Sequence, residues 1–151
     1  MKKKFFIIFI FIVVTGCGFS PLYSDNNKSN YNILITDQKG DQVLNDLIIE
    51  EIKKVSNSQS KNNLYLSINT QYEKKIISKD TKGSASEYEL SVLTYFSISG
   101  LEKEQKFLLK EKQNLKNISD TFEQKNYENI IKKNFASSLA RKLNLEILKR
   151  K

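Results

Sequence analysis

Two stretches of strict alternation constrain this chain more than any other feature. Leu64, Leu66, Ile68, Thr70 and Tyr72 alternate with Tyr65, Ser67, Asn69 and Gln71; further on, Tyr88, Leu90, Val92, Thr94, Phe96 and Ile98 alternate with residues that include Glu89, Ser91 and Ser97. A period of two puts each apolar set on one face of a strand. The Lys-Asp-Thr-Lys-Gly-Ser segment at 79–84 has turn chemistry, so the pair predicts a long hairpin with one buried face. Gly100-Leu101-Glu102-Lys103 predicts a second reversal into a third member, Gln105 to Leu115. Phe107 and Leu109 alternate less cleanly there, and Lys106, Lys110 and Lys112 suit an edge strand guarded against unwanted pairing.

The flanking segments follow a different period. Tyr31 to Ile35 reads as a first short strand, closed by the turn-like Asp37-Gln38-Lys39-Gly40. From Asp41 to Val55, Leu44, Leu47, Ile48, Ile52 and Val55 recur at helical spacing opposite Asn45, Glu50 and Lys53. Ser56 to Asn63 is a polar linker. Asp120 or Thr121 can cap a last helix, with Thr121 and Gln124 at capping-box spacing. Along it Tyr127, Ile131, Phe135, Leu139, Leu143 and Ile147 step at i+4 with Ala136 and Ala140 beside them, a stripe that belongs to a core. The order strand-helix-strand-strand-strand-helix predicts an α+β, two-layer sandwich: a mainly antiparallel four-stranded sheet with two helices on one face.

Composition removes much of ordinary catalysis. The 151 residues include no His and one Cys, so a Ser-His-Asp triad, an imidazole base, a His metal site and an internal disulfide are all excluded. Glycines at 16, 18, 40, 83 and 100 form no phosphate-cradling loop. Ser58-x-x-Lys61 matches a serine–lysine dyad formally, but falls in a polar linker. Glu50-Glu51 and Glu102 with Glu104 read as solvated faces. The expectation is a protein without enzymatic activity, cofactor or metal.

The N-terminus carries an address. Lys2, Lys3 and Lys4 precede an unbroken apolar run from Phe5 to Val14, followed by Thr15-Gly16-Cys17. As a helix at about 1.5 Å per residue the run would cover only about half of a bilayer's hydrocarbon core, so it reads as an export signal. Val14-Thr15-Gly16-Cys17 resembles the bacterial lipobox. That resemblance implies cleavage between Gly16 and Cys17, a diacylglycerol thioether on Cys17 and an acylated amine, palmitate-class chains that together anchor durably. Gly18, where Asp would retain the protein, implies transport to the outer membrane and a lipid anchor on its periplasmic side. Residues 1–16 are thus read as signal peptide, 17–30 as acylated N-terminus and tether, and 31–151 as one domain. Loss of the three signal lysines lowers the net charge from +8 to +5.

Lys74, Lys75, Lys79 and Lys82 cluster at the tip of the first hairpin, with Lys103 and Lys106 around the second turn. Arrayed ammonium groups attract phosphates. Export and acylation argue against nucleic acid, and an anionic glycolipid suits the compartment better.

Cys17-Gly18-Phe19-Ser20-Pro21-Leu22-Tyr23 resembles the mature start of the LptE family of LPS-assembly lipoproteins. The C-terminal segment, with Asn117, Ser119-x-x-Phe122, Tyr127, Asn134-Phe135-Ala136 and Leu139-Ala140-x-x-Leu143, is similar to that family's last strand-to-helix passage. The resemblance covers residues 17–148. It implies a lipoprotein subunit of the outer-membrane lipopolysaccharide translocon, plugging the LptD β-barrel and binding lipopolysaccharide (LPS). Lys79 and Lys82 are the first candidates for lipid A phosphates, with Lys103 and Lys106 behind them. The chain's two arginines depart from a richer basic pattern, and lysine lacks arginine's bidentate phosphate contacts. Two alternatives remain: an accessory lipoprotein of another lipid-transport or barrel-assembly machine, and a periplasmic serine–lysine hydrolase dependent on Ser58.

Overall fold

The alternating segments pair with one another in the structure, a computed structural model that describes residues 29–149. Six elements follow in order: β1 (Asn32–Gly40), α1 (Gln42–Val55), β2 (Asn63–Lys79), β3 (Ala85–Ser99), β4 (Gln105–Lys116) and α2 (Thr121–Leu148). The strands form one sheet in the order β1-β2-β3-β4. β3 is antiparallel to both β2 and β4, while β1 lies parallel to β2, as a strand returning through a helix does. The expected α+β order is the observed one. The signal, the lipobox cysteine and the tether as far as residue 28 lie outside the described residues.

One parity of the hairpin is buried from Leu64 to Thr70 and from Leu90 to Ile98. Leu64, Leu66 and Ile68 on β2 and Leu90, Val92, Phe96 and Ile98 on β3 are each at most 1% exposed. Within this apolar layer Thr70 and Thr94 sit opposite one another, with their hydroxyls 3.2 Å apart, so each satisfies the other. α1 packs against β1 and β2, and α2 packs against α1 and β4, closing one core over one face of the sheet. Phe96, 1% exposed, is its largest fully buried side chain, and cutting it to alanine would cost about 3–5 kcal/mol.

Four local expectations change, the fourth at the start of α2. β1 does not stop at Ile35: after a register shift between Ile35 and Asp37 it pairs out to Gly40 opposite Thr70, and the Thr36 hydroxyl donates to the Leu66 carbonyl at the irregularity. Pairing with β2 overrides the turn propensity of 37–40. Asn45 is on the buried side of α1, where its Nδ2 donates to the Lys39 carbonyl at 2.9 Å while its Oδ1 has no partner. Tyr127 leaves the core stripe and is 52% exposed.

The helix starts are built as side-chain chemistry requires. Asp41 caps α1 by accepting the Leu44 amide, and Asp120 caps α2 by accepting those of Phe122 and Glu123. Gln124 does not complete a capping box; its side chain accepts the Ile118 amide at 2.6 Å and ties the β4–α2 connection to the helix. Gly40, at φ 85°, turns the chain from β1 into α1, and a Cβ there would lie 1.9 Å from the Thr70 carbonyl oxygen.

Candidate functional site

Antiparallel reversals alternate ends, and this decides where the candidate lysines lie. The β2–β3 turn closes one end of the sheet, the tip. The β3–β4 turn closes the other, the base, where β1 also begins with Asn32 opposite Asn63. Lys79 and Lys82 are therefore at the tip, and Lys103 and Lys106 at the base. Thirteen residues of β2 separate Lys79 from Leu66, which is level with the β3–β4 turn through Ile98. At about 3.3 Å per residue that is roughly 43 Å, so the four lysines do not form one site.

Tip and base differ in character. From Glu73 to Ser84 every residue is exposed, so this part of the hairpin outruns the helical layer. Asp80 organises its turn: the carboxylate accepts the amides of Lys82 and Ser84, both at 2.9 Å, and holds the lysines at a defined apex. Below the apex, an irregularity between Ile76 and Ser78 breaks the alternation, and Ile76 and Ile77 are 46% and 43% exposed. Lys74, Lys75, Lys79 and Lys82 flank this apolar pair along the strand and turn. The tip thus combines cations carried on an ordered turn with exposed aliphatic side chains. At the base, Lys106 lies 3.7 Å from Glu104, which also accepts the Ser97 hydroxyl at 2.6 Å. That hydrogen bond, with the Lys106 charge, holds the Glu104 carboxyl below its usual range.

A polar hub clamps the hairpin where it leaves the helices. Glu128 of α2 accepts the Tyr72 hydroxyl and the Lys74 ammonium, each at 2.7 Å, and lies 3.6 Å from the Lys132 Nζ. Lys132 stands 4.3 Å over the Tyr72 ring and Lys74 stands 4.6 Å over that of Tyr88. Burial raises the Glu128 pKa, but hydrogen bonds from Lys74 and Tyr72 and the lysine charges outweigh it, leaving the carboxyl below its usual range. The Tyr72 phenol is pushed well up, first by burial and then by its bond to Glu128. Lys74 is therefore committed to the clamp, leaving Lys75, Lys79 and Lys82 as the outward cations of the tip. No sequence pattern singles out Glu128; the adjacent apolar pair Ile76-Ile77, which breaks the alternation of β2, is the sequence signal that the reading of the hairpin passed over.

The remaining candidates do not assemble chemistry. Ser58 and Lys61 are exposed on the loop between α1 and β2. Among the described residues no group of three or more Cys, Asp or Glu side chains could hold a metal ion, and no helix is long and apolar enough to cross a membrane. Gly16 and Cys17 lie outside the described residues.

No protein-family model and no curated protein sequence matches the chain. Its fold is similar to that of rare lipoprotein B from Shewanella oneidensis, with TM-score 0.59 at 16% identity over 78% of this chain and 95% of that one. A lipoprotein candidate from Caulobacter crescentus gives 0.54 at 11% identity over 78% and 86%, and a minor lipoprotein from Acinetobacter baumannii gives 0.50 at 13% over 73% and 93%. At these identities the likeness is one of fold.

Proposed function

We propose that this chain is the lipoprotein subunit of the outer-membrane lipopolysaccharide translocon, anchored by acyl chains on Cys17 at the periplasmic side of the outer membrane. It seats inside the LptD β-barrel and binds LPS on its way to the cell surface. The observation that carries this reading is the separation of the two ends of the sheet. The chain enters β1 at the base, and β2 runs 17 residues from there to the basic tip. At about 3.3 Å per residue this is roughly 56 Å, against about 40–45 Å for a bilayer with its headgroups. A domain standing upright in a barrel lumen, with its base by the anchored leaflet, carries Lys79 and Lys82 to the level of the opposite leaflet. There the ammonium groups meet lipid A phosphates, and Ile76 and Ile77 offer acyl chains an apolar contact.

The role is binding and scaffolding, without bond chemistry. Lys103 and Lys106, at the base, are secondary contacts for LPS arriving from the periplasm. The lipobox resemblance at Cys17 and a fold shared with solved lipoproteins both support the anchor. The test is capture of the tagged, acylated protein from its own membranes in mild detergent, followed by mass spectrometry. LptD in near-equal amount is the expected result; a different barrel or none would remove the translocon reading.

A further inference from the structure

The sheet has a second face, and no helix or strand among the described residues covers it. The register sets its outward side chains in rows across the strands: Leu34 beside Tyr65, Asn69 beside Tyr95 and Leu108, and Gln71 beside Leu93 and Lys110. Tyr95 and Leu108, paired on neighbouring strands at the middle of this surface, are 45% and 55% exposed. The outward side chains of β4 are Lys106, Leu108, Lys110, Lys112, Asn114 and Lys116, a row with no carboxylate. Lys112 is neutralised by Glu89 at 2.8 Å, but Lys110, next to Leu108 in that row, has no carboxylate within ion-pair distance among the described residues.

Size and charge select the occupant. Four strands at about 4.8 Å and the twelve residues of β4 at about 3.3 Å give a face of roughly 19 by 40 Å, about one side of a standard protein interface. A second copy of the chain would oppose lysine row to lysine row, which like-charge repulsion disfavours. A lipid surface would bury the Ser67, Asn69, Gln71 and Ser97 rows in hydrocarbon without partners. We infer that this open face is where the domain docks on a protein wall. That wall presents an apolar recess for Tyr95 and Leu108, bordered by a carboxylate that meets Lys110. The inference rests on the reading of a barrel partner and says which side of the domain faces its wall.

The test uses the acylated full-length chain with Leu108→Glu and Lys110→Glu, beside a control variant with Lys125→Glu and Lys133→Glu, both exposed on α2. Each replaces the wild type in cells, is captured in mild detergent, and the barrel recovered per captured chain is quantified. The open-face variant is expected to recover about ten-fold less barrel or worse, and the control variant as much as the wild type. Both altered positions of the open face are exposed, so its purified form should unfold within about 2 °C of the wild type. Should that variant fold poorly, a photo-crosslinking residue in place of Leu108 gives an independent readout, an adduct with the barrel. Equal recovery by a folded open-face variant, or an adduct only with a second copy, overturns the docking face and leaves the barrel partner standing. Absence of any barrel with the wild type overturns the partner reading and this inference with it.

Discussion

Removing the Glu128 carboxylate should loosen the tip of the hairpin and destabilise the whole domain. Its side chain is 17% exposed, and it binds Lys74 and Tyr72 by hydrogen bonds of 2.7 Å with Lys132 at 3.6 Å. A hydrogen bond to a charged group contributes about 1.5–3 kcal/mol, and partial solvent access lowers the sum of two. Glu128→Ala should therefore cost about 2–3 kcal/mol, Tyr72→Phe about 1 kcal/mol, and the pair about 1 kcal/mol less than the two summed. For a domain of this size that is a fall in Tm of roughly 8–12 °C for the alanine variant. The carboxyl titrates lower folded than unfolded, so its contribution is complete above the unfolded value of about 4.3 and is lost as pH falls through the folded one. The Tm gap between wild type and Glu128→Gln should thus narrow below about pH 4.3. Hydrogen exchange should show faster exchange at 73–87 in the variant, because the clamp is the last side-chain tie before the hairpin leaves the helices. Strictly additive costs, or a Tm gap that stays constant into acid, would refute the reasoning.

Other consequences follow from single features. Gly40→Ala places a Cβ 1.9 Å from the Thr70 carbonyl oxygen at φ 85°, and should cost about 3 kcal/mol or more in urea unfolding. Thr70→Val leaves the Thr94 hydroxyl buried and unpaired, costing about 1–2 kcal/mol, whereas the Thr70→Val, Thr94→Val double variant should unfold closer to the wild type. Lys79→Glu with Lys82→Glu should weaken binding of the purified domain to LPS, while Lys103→Glu with Lys106→Glu, some 43 Å away by strand rise, should weaken it less. That binding should also fall as salt is raised from about 50 to about 500 mM in a co-sedimentation assay, because the screening length shortens from about 14 to about 4 Å.

The sequence made the sheet legible because its signal is local: the parity of Leu64 to Thr70 and of Leu90 to Ile98 is buried as the alternation requires. The extent of β1 was not legible, since Asp37 to Gly40 have turn propensity and are held in a strand only by parallel pairing with β2. Asn45 was missed for a similar reason: its burial depends on the end of β1 supplying the Lys39 carbonyl. Tyr127 fits the i+4 stripe arithmetically but is 52% exposed, while the adjacent Glu128 is the residue that turns to the sheet and meets Tyr72. Of the candidate site, the tip lysines stood out as a charge cluster. Their separation from Lys103 and Lys106 follows from the hairpin topology alone, since consecutive antiparallel turns close opposite ends. The Glu128 clamp joins residues 56 apart in sequence and has no local pattern.

The most direct test of the central claim is depletion of this protein in its own cells, with pulse-labelled LPS followed to the cell surface. Surface delivery should fall while new LPS accumulates behind the outer membrane, and a wild-type copy, but not one with Cys17→Ala, should restore it. Undiminished surface LPS after depletion would contradict the account.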